Sequence, residues 1–285
     1  MKNLLILLGF ISILFVSCSE VEPVDPVLLG NQYTGNNNNN NNNGNNNGGN
    51  TTNPILLTKM VLTSPDEDSD TFWNSTVNIT YNGNKIIQQI DEDNYKLVYH
   101  YTGDLITKVE YYYDGVFDGK DEFSYDSSGR LIEYNEFDDQ NVIFAKFIFT
   151  YSSNNTAICE EYQVDSNNNL YLFTTSIYTF LNGELSSIDY GGGEIYSYSY
   201  DNKNNPFKNV LGYNKIMIPE YTDDYQIVFG RNQNVTSRSL STDSTYDINS
   251  IYNYNSYDFP ISSVTNTNFG SSSTNTVNVQ YFYNQ

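Results

Sequence analysis

The chain has 285 residues, with 34 acidic against 13 basic side chains and a net charge of −21 at neutral pH. That surplus of negative charge argues against nucleic acid or an anionic membrane face as a partner, because both would repel it. Two cysteines exclude a disulfide scaffold, and a chain of this length can bury enough apolar surface to fold without one.

The first element is an export signal. Lys2 gives a basic start, Leu4 to Val16 is an apolar or small-residue run of 13 residues, and Ser17 precedes Cys18. A membrane-spanning helix needs about 20 apolar residues, so the run reads as a removable leader over residues 1–17. Leu14-Phe15-Val16-Ser17-Cys18 resembles the lipobox of bacterial lipoproteins, with Phe15 where leucine is commoner. The resemblance implies that Cys18 becomes the first residue and carries a diacylglycerol thioether and an N-acyl chain. More than one acyl chain gives stable membrane anchoring where a single chain gives marginal binding. A lipidated Cys18 leaves Cys159 without an intramolecular partner. In Ala157-Ile158-Cys159 that thiol is expected to act as a small buried hydrophobe.

Residues 18–57 read as anchor and tether. Pro23 and Pro26 sit among Glu20, Glu22 and Asp25, and an asparagine tract from Asn36 to Asn43 continues with Gly44, Gly48 and Gly49. Such a composition cannot fund a packed core and is expected to be disordered. As a flexible coil, Ser19 to Asn53 would hold the following domain roughly 30 Å from the lipid. The acidic residues after Cys18 resemble the surface-export signal of lipoproteins in some outer-membrane bacteria. They imply an outer-membrane anchor that faces the surface rather than the periplasm.

Residues 58–285 repeat one pattern: an aromatic, any residue, a second aromatic, then a polar or glycine turn. It occurs at Tyr99-His100-Tyr101, Phe123-Ser124-Tyr125, Phe149-Thr150-Tyr151, Tyr178-Thr179-Phe180, Tyr198-Ser199-Tyr200 and Tyr252-Asn253-Tyr254, with Ile79-Thr80-Tyr81 as a variant. The third positions lie 20, 24, 26, 29, 20 and 54 residues apart, so the last interval has room for a degenerate copy. Periods of this size mark a repeated supersecondary unit. Turns such as Asn82-Gly83 and strands of period two, as in Tyr196, Tyr198 and Tyr200 opposite Ser197 and Ser199, make each unit a β-hairpin.

The expected fold is all-β. It is an antiparallel meander of about seven or more hairpins, forming a curled sheet or partly closed barrel. One short helical insertion is expected, with Asn205 capping a helix that starts at Pro206 and ends at Gly212. Phe123-Ser124-Tyr125-Asp126-Ser127-Ser128-Gly129-Arg130-Leu131 resembles the YD repeat of RHS-type wall and toxin-shell proteins. The lipobox, polar tether, tyrosine hairpins and Asn204-Asn205-Pro206-Phe207 together resemble a group of uncharacterised bacterial lipoproteins. Their domain of unknown function has a porin-like β fold, which the resemblance implies for roughly Thr58 to Gln285.

Chemistry-bearing residues are sparse, and the sequence nominates no catalytic, cofactor-binding or metal-binding residue. His100 alternates with Tyr99 and Tyr101 and lacks a second ligand in any zinc spacing. Asp66, Asp68 and Asp70 open like a calcium loop, but Thr71 and Val77 stand where glycine and glutamate belong. Asp114, Asp118, Asp121 and Glu122 crowd what reads as one turn. Tyr221 and Tyr225, with Asp223 and Asp224, follow the insertion where the repeat breaks, a usual place for a binding surface.

The functional expectation is a cell-envelope lipoprotein whose β domain binds or builds, with no cofactor. Its partners are the membrane through Cys18, and a glycan or another envelope protein, but no nucleic acid. The alternative is a glycan-directed hydrolase using interior carboxylates. Acids facing one another in a concave interior would favour the hydrolase, whereas a flat outer tyrosine strip would favour binding. A transmembrane barrel is disfavoured by Lys108, Glu110, Lys146 and Glu184 within the strands.

Overall fold

The computed structural model describes residues 54–65, 72–153, 155–165, 167–216, 229–244, 247–269 and 273–285. The leader, Cys18, residues 19–53 of the tether, the Asp66–Asp70 segment and Tyr221 to Tyr225 lie outside the described residues, while Leu56 and Leu57, read as the end of the tether, are buried and Leu57 opens the first strand. The strands are β1 (Leu57–Pro65), β2 (Phe72–Asn82), β3 (Lys85–Ile90), β4 (Tyr95–Thr102), β5 (Leu105–Tyr113), β6 (Val116–Tyr125), β7 (Leu131–Phe137) and β8 (Ile143–Ser153). They continue as β9 (Thr156–Val164), β10 (Leu170–Leu181), β11 (Glu184–Asp189), β12 (Ile195–Tyr200), β13 (Val235–Leu240), β14 (Ile248–Tyr254), β15 (Pro260–Phe269) and β16 (Ser273–Tyr283).

Each strand pairs antiparallel with its sequence neighbours, and β16 pairs with β1 through Leu62↔Val279 and Met60↔Tyr281, closing a barrel of sixteen strands. This corrects the expectation of about seven hairpins in a curled or partly closed sheet. Closure removes the two edges that an open meander leaves unpaired. The segment Leu57–Pro65 carries no tyrosine-turn signature, so nothing local in it announces the strand that seals the ring. Among the described residues the 54-residue interval holds no further copy: Tyr200 ends β12, Tyr254 ends β14, and β13 lies between them. Tyr283, at the end of β16, is the eighth position of the series.

The sequence period breaks at the same place in most hairpins. The register slips between Thr80 and Tyr81, His100 and Tyr101, Ser124 and Tyr125, Thr179 and Phe180, Ser199 and Tyr200, and Asn253 and Tyr254. In each case the extra residue lies on the returning strand, as with Ile87 in β3 and Thr107 in β5. Inward positions there fall three apart instead of two: Ile86 and Gln89, Ile106 and Val109, Leu131 and Tyr134, Leu185 and Ile188 are all buried.

A bulge leaves backbone groups out of the ladder, and the repeat tyrosines answer them from the following strand. Tyr125 donates its hydroxyl to the Ile106 carbonyl (2.6 Å), Tyr151 to Leu131 (3.0 Å), Tyr200 to Leu185 (2.6 Å), Tyr252 to Val235 (2.9 Å) and Tyr283 to Pro260 (2.8 Å). Tyr81 does the same for Leu57 (2.7 Å), while Tyr101 accepts the Ile86 N–H (3.1 Å). The exception is instructive. In the β8–β9 hairpin the extra residue, Ser152, sits on β8, so β9 carries no bulge from that pairing, and the next repeat position is Phe180, which has no hydroxyl.

These tyrosines mark one end of the barrel, and the segment Asp201 to Ile216 that follows β12 crosses that end. Asn204 Nδ2 donates to Tyr257 O (2.9 Å), Asn209 Nδ2 to Ile55 O (3.0 Å), Leu211 N to Asn84 O (3.0 Å) and Tyr101 Oη to Leu211 O (3.1 Å). Phe207, Val210 and Tyr213 are buried from this segment, with the Phe207 and Tyr213 rings stacked at 4.2 Å. They join the inward residues of the strands in one contiguous core. Gly212 has φ +73°, and a Cβ there would stand 2.7 Å from the Asp104 carbonyl oxygen.

The expected helix from Pro206 to Gly212 is not formed. Asn205 does cap, accepting the Phe207 N–H at 2.7 Å, but its own Nδ2 is spent on the Gly230 carbonyl (2.7 Å) and only isolated turns follow. The one helix among the described residues, α1 (Tyr213–Ile216), begins after Gly212, whose left-handed conformation does not belong to an α-helix.

Candidate functional site

The inner wall is not uniformly apolar. From the plugged end inward, β6 presents Tyr125, then Phe123, then Asp121, while β7 presents Leu131, Tyr134 and Glu136, and β9 presents Cys159 before Glu161. Three carboxyls therefore gather on the inner face of β6–β9, away from the plug, with Asp121 directly opposite Glu136 in the ladder.

Asp121 is 9 % exposed and accepts a short hydrogen bond from the Tyr111 hydroxyl. Burial pushes its pKa up to about 7. The bonds from Tyr111 and Tyr134 pull it down, and the Glu136 charge adds to the rise. Burial likewise raises Glu136, with the Glu161 charge adding to it, although the Tyr134 hydroxyl donates to Glu136 at 2.7 Å. Glu161 is raised by burial against a 2.9 Å bond from Gln163. The phenols of Tyr111 and Tyr134 are pushed far above their ordinary value by burial, so they remain donors. Three neighbouring carboxyls whose pKa values burial raises, two of them held by phenols and one by Gln163, can supply an acid or bind hydroxyl-rich groups. Among the described residues no group of three or more His, Cys, Asp or Glu side chains is placed to hold a metal ion.

The expected acidic turn does not exist as a unit. Asp114 sits in the β5–β6 turn and accepts from Asn94 (3.0 Å), Glu122 points outward to Lys120 (2.7 Å), and Asp121 alone turns inward. The partners of Asp121 come from other strands. Their signal in the sequence is parity: Asp121 shares a face with Phe123, and Glu136 with Tyr134. No spacing rule places those two faces side by side.

The outer wall carries the ion pairs. His100 Nε2 meets Glu110 at 2.9 Å and Lys108 meets the same carboxylate at 2.5 Å, so the histidine is an outward strand residue. Lys120 pairs with Glu122 (2.7 Å) and Lys146 with Glu133 (3.0 Å). Glu184 differs from the expectation: it is 2 % exposed, and its carboxylate accepts the backbone N–H groups of Arg231 (2.7 Å), Asn232 (2.7 Å) and Gln233 (3.1 Å). It pins the chain returning from the plug. Cys159 is buried, as a small hydrophobe would be. Most described tyrosines point inward. The well-exposed ones, Tyr113, Tyr171 and Tyr257, stand at separate hairpin ends and form no strip.

No known family profile matches the chain, and no curated protein does. Among solved structures, it is similar to a porin-like protein from Bacteroides vulgatus at 14 % identity and a TM-score of 0.49, over 81 % of this chain and 99 % of that one. A porin-like protein from Bacteroides uniformis aligns at 13 % identity and a TM-score of 0.41, over 80 % and 96 % of the two chains.

Proposed function

We propose that the chain is a cell-envelope lipoprotein, anchored through Cys18 at the outer membrane and facing the surface, whose barrel is a binding or structural module. The partner is a glycan or another envelope protein. The observation that carries this reading is the polarity of the wall. Leu62, Ile86, Ile106, Leu185, Ile188 and Val279 fill the inside, whereas Lys108, Glu110, Lys120, Glu122, Glu133 and Lys146 stand on the outside. A lipid-facing barrel needs the reverse, since a lysine or arginine on the lipid face costs about 2–4 kcal/mol at the bilayer midplane. A sixteen-strand pore would also keep a polar, water-filled lumen. The export leader and the Cys18 box supply the membrane attachment that the wall does not.

Labelling with a radioactive fatty acid and carbonate extraction test this reading. The wild type should take up label and stay with membranes, and Cys18→Ala should take up none and appear in the soluble fraction. Release of Cys18→Ala only by detergent would sink the reading in favour of an integral barrel. The inward carboxyls, with Asp121 opposite Glu136, and the lack of an outer tyrosine strip among the described residues are the pattern expected of the alternative, and they favour a second reading, a glycan-directed hydrolase with Asp121 or Glu136 as the acid. It requires glycan cleavage that Asp121→Asn and Glu136→Gln abolish.

A further inference from the structure

Strand β10 is twice as long as the strand beside it. β11 covers β10 only from Ile177, opposite Asp189, to Leu181, opposite Glu184. Leu170 to Ser176 pair with β9 on one side, and among the described residues no strand pairs with them on the other. This stretch begins with four consecutive apolar residues in water: Leu170, Tyr171, Leu172 and Phe173 are 44, 46, 49 and 39 % exposed. Soluble proteins guard open edges with charge, proline or a bulge, because a free row of N–H and C=O groups recruits another strand. Leu170 to Ser176 contain no charge and no proline, and the only guard is the bulge at Phe173. Exposed apolar runs of this kind mark interaction sites.

We propose that the free edge of β10, Leu170 to Ser176, takes up an extended cationic polypeptide segment by strand addition. The choice of occupant follows from charge. From Phe147 to Asn202 the chain has seven acidic residues and no lysine, arginine or histidine. Asp189 closes the lower end of the open edge, Asp165 stands at the hairpin turn above it, and Glu160 lies across β9 opposite Thr175. A second copy would bring two such fields together, each on a chain of net charge −21, and like charge disfavours that pairing. A peptide alternating apolar and basic residues satisfies both features. Its backbone completes the ladder, its apolar side chains cover Leu170 and Leu172, and its cations meet the carboxylates. The proposal deepens the reading of the barrel as a binding module and does not depend on lipidation of Cys18.

The test uses the full chain and an eight-residue peptide of alternating valine and lysine with blocked ends, followed by fluorescence anisotropy and amide hydrogen exchange. Binding should slow exchange within 170–176, weaken as salt rises, and fall at least tenfold for the Leu170→Ser/Leu172→Ser variant, whose changes are at exposed positions. A peptide methylated at its backbone nitrogens should not bind. Equal binding of a valine–glutamate peptide would overturn the charge argument. Protection elsewhere in the barrel would overturn the site. Concentration-dependent dimerisation that protects 170–176 without peptide would replace the peptide with a second copy. None of these outcomes bears on the fatty-acid labelling of Cys18, so the two readings fail separately.

Discussion

Replacing Asp121 with asparagine should change how the barrel's stability depends on pH. Asp121 lies at the inner face with its pKa pushed up by burial to about 7, against an ordinary value of 3.8. A group whose pKa is higher folded than unfolded holds its proton in the native state while the unfolded chain has lost it. Stability is therefore fully present below the unfolded value and drains away as pH rises through the folded one. At about 1.4 kcal/mol per pK unit, the window from pH 4 to pH 8 removes about 4 kcal/mol. For a domain of this size each kcal/mol moves the melting temperature by about 2–4 °C, and about 3 kcal/mol of this is still present at pH 4.5, so the wild type should melt roughly 6–13 °C lower at pH 8 than at pH 4.5 from this group alone. Glu136 and Glu161, also raised, act in the same direction. Asparagine keeps an acceptor for the Tyr111 hydroxyl and carries no charge at any pH, so Asp121→Asn should flatten most of the slope and melt higher than wild type at pH 8. Calorimetric scans from pH 4.5 to 8.5 check this. Parallel profiles for the two proteins would show that Asp121 is solvated or paired, and would refute the argument.

The tyrosine series predicts that hydroxyl removal costs stability only where a bulge exists. Tyr125→Phe and Tyr200→Phe should each lose about 1–2 kcal/mol by orphaning a carbonyl, whereas Phe180→Tyr should gain nothing, as read from urea midpoints. Gly212→Ala forces a Cβ to within 2.7 Å of a carbonyl at a left-handed φ. It should cost about 2–4 kcal/mol and open 201–216 to limited proteolysis, with the midpoint measured in parallel. Glu184→Gln can no longer accept from three backbone N–H groups with a full charge. A loss of about 2–3 kcal/mol is expected, with faster amide exchange at Arg231 to Gln233; unchanged exchange there would count against the pinning role.

Hairpins are local objects, and their signals are local. Tyr-x-Tyr before a glycine or asparagine turn and period-two alternation were enough to read an antiparallel all-β domain and to set His100 on the face opposite Tyr99 and Tyr101. The bulges were not legible, since the strands read as period two, whereas Ile86 and Gln89, or Leu185 and Ile188, are inward residues three apart. Their partners were not either, because a carbonyl orphaned in β5 is satisfied by Tyr125 of β6, and no spacing within either strand records that contact. The same holds for the site. The sequence reading placed Asp121 in an acidic turn, whereas its elevated pKa comes from burial behind a closed wall, with the Glu136 charge adding to it and the Tyr111 bond opposing it.

The sequence alone determined the composition of the tyrosine-turn strands, the turns that end them and the charges that alternate with their aromatic residues, since these depend on neighbours a few residues apart. Tertiary structure decided closure, the plug and the acidity of the inner face. Leu62 meets Val279 across more than two hundred residues, Asn209 finds Ile55, and Asp121 becomes a weak acid only because distant strands exclude the solvent that would otherwise charge it.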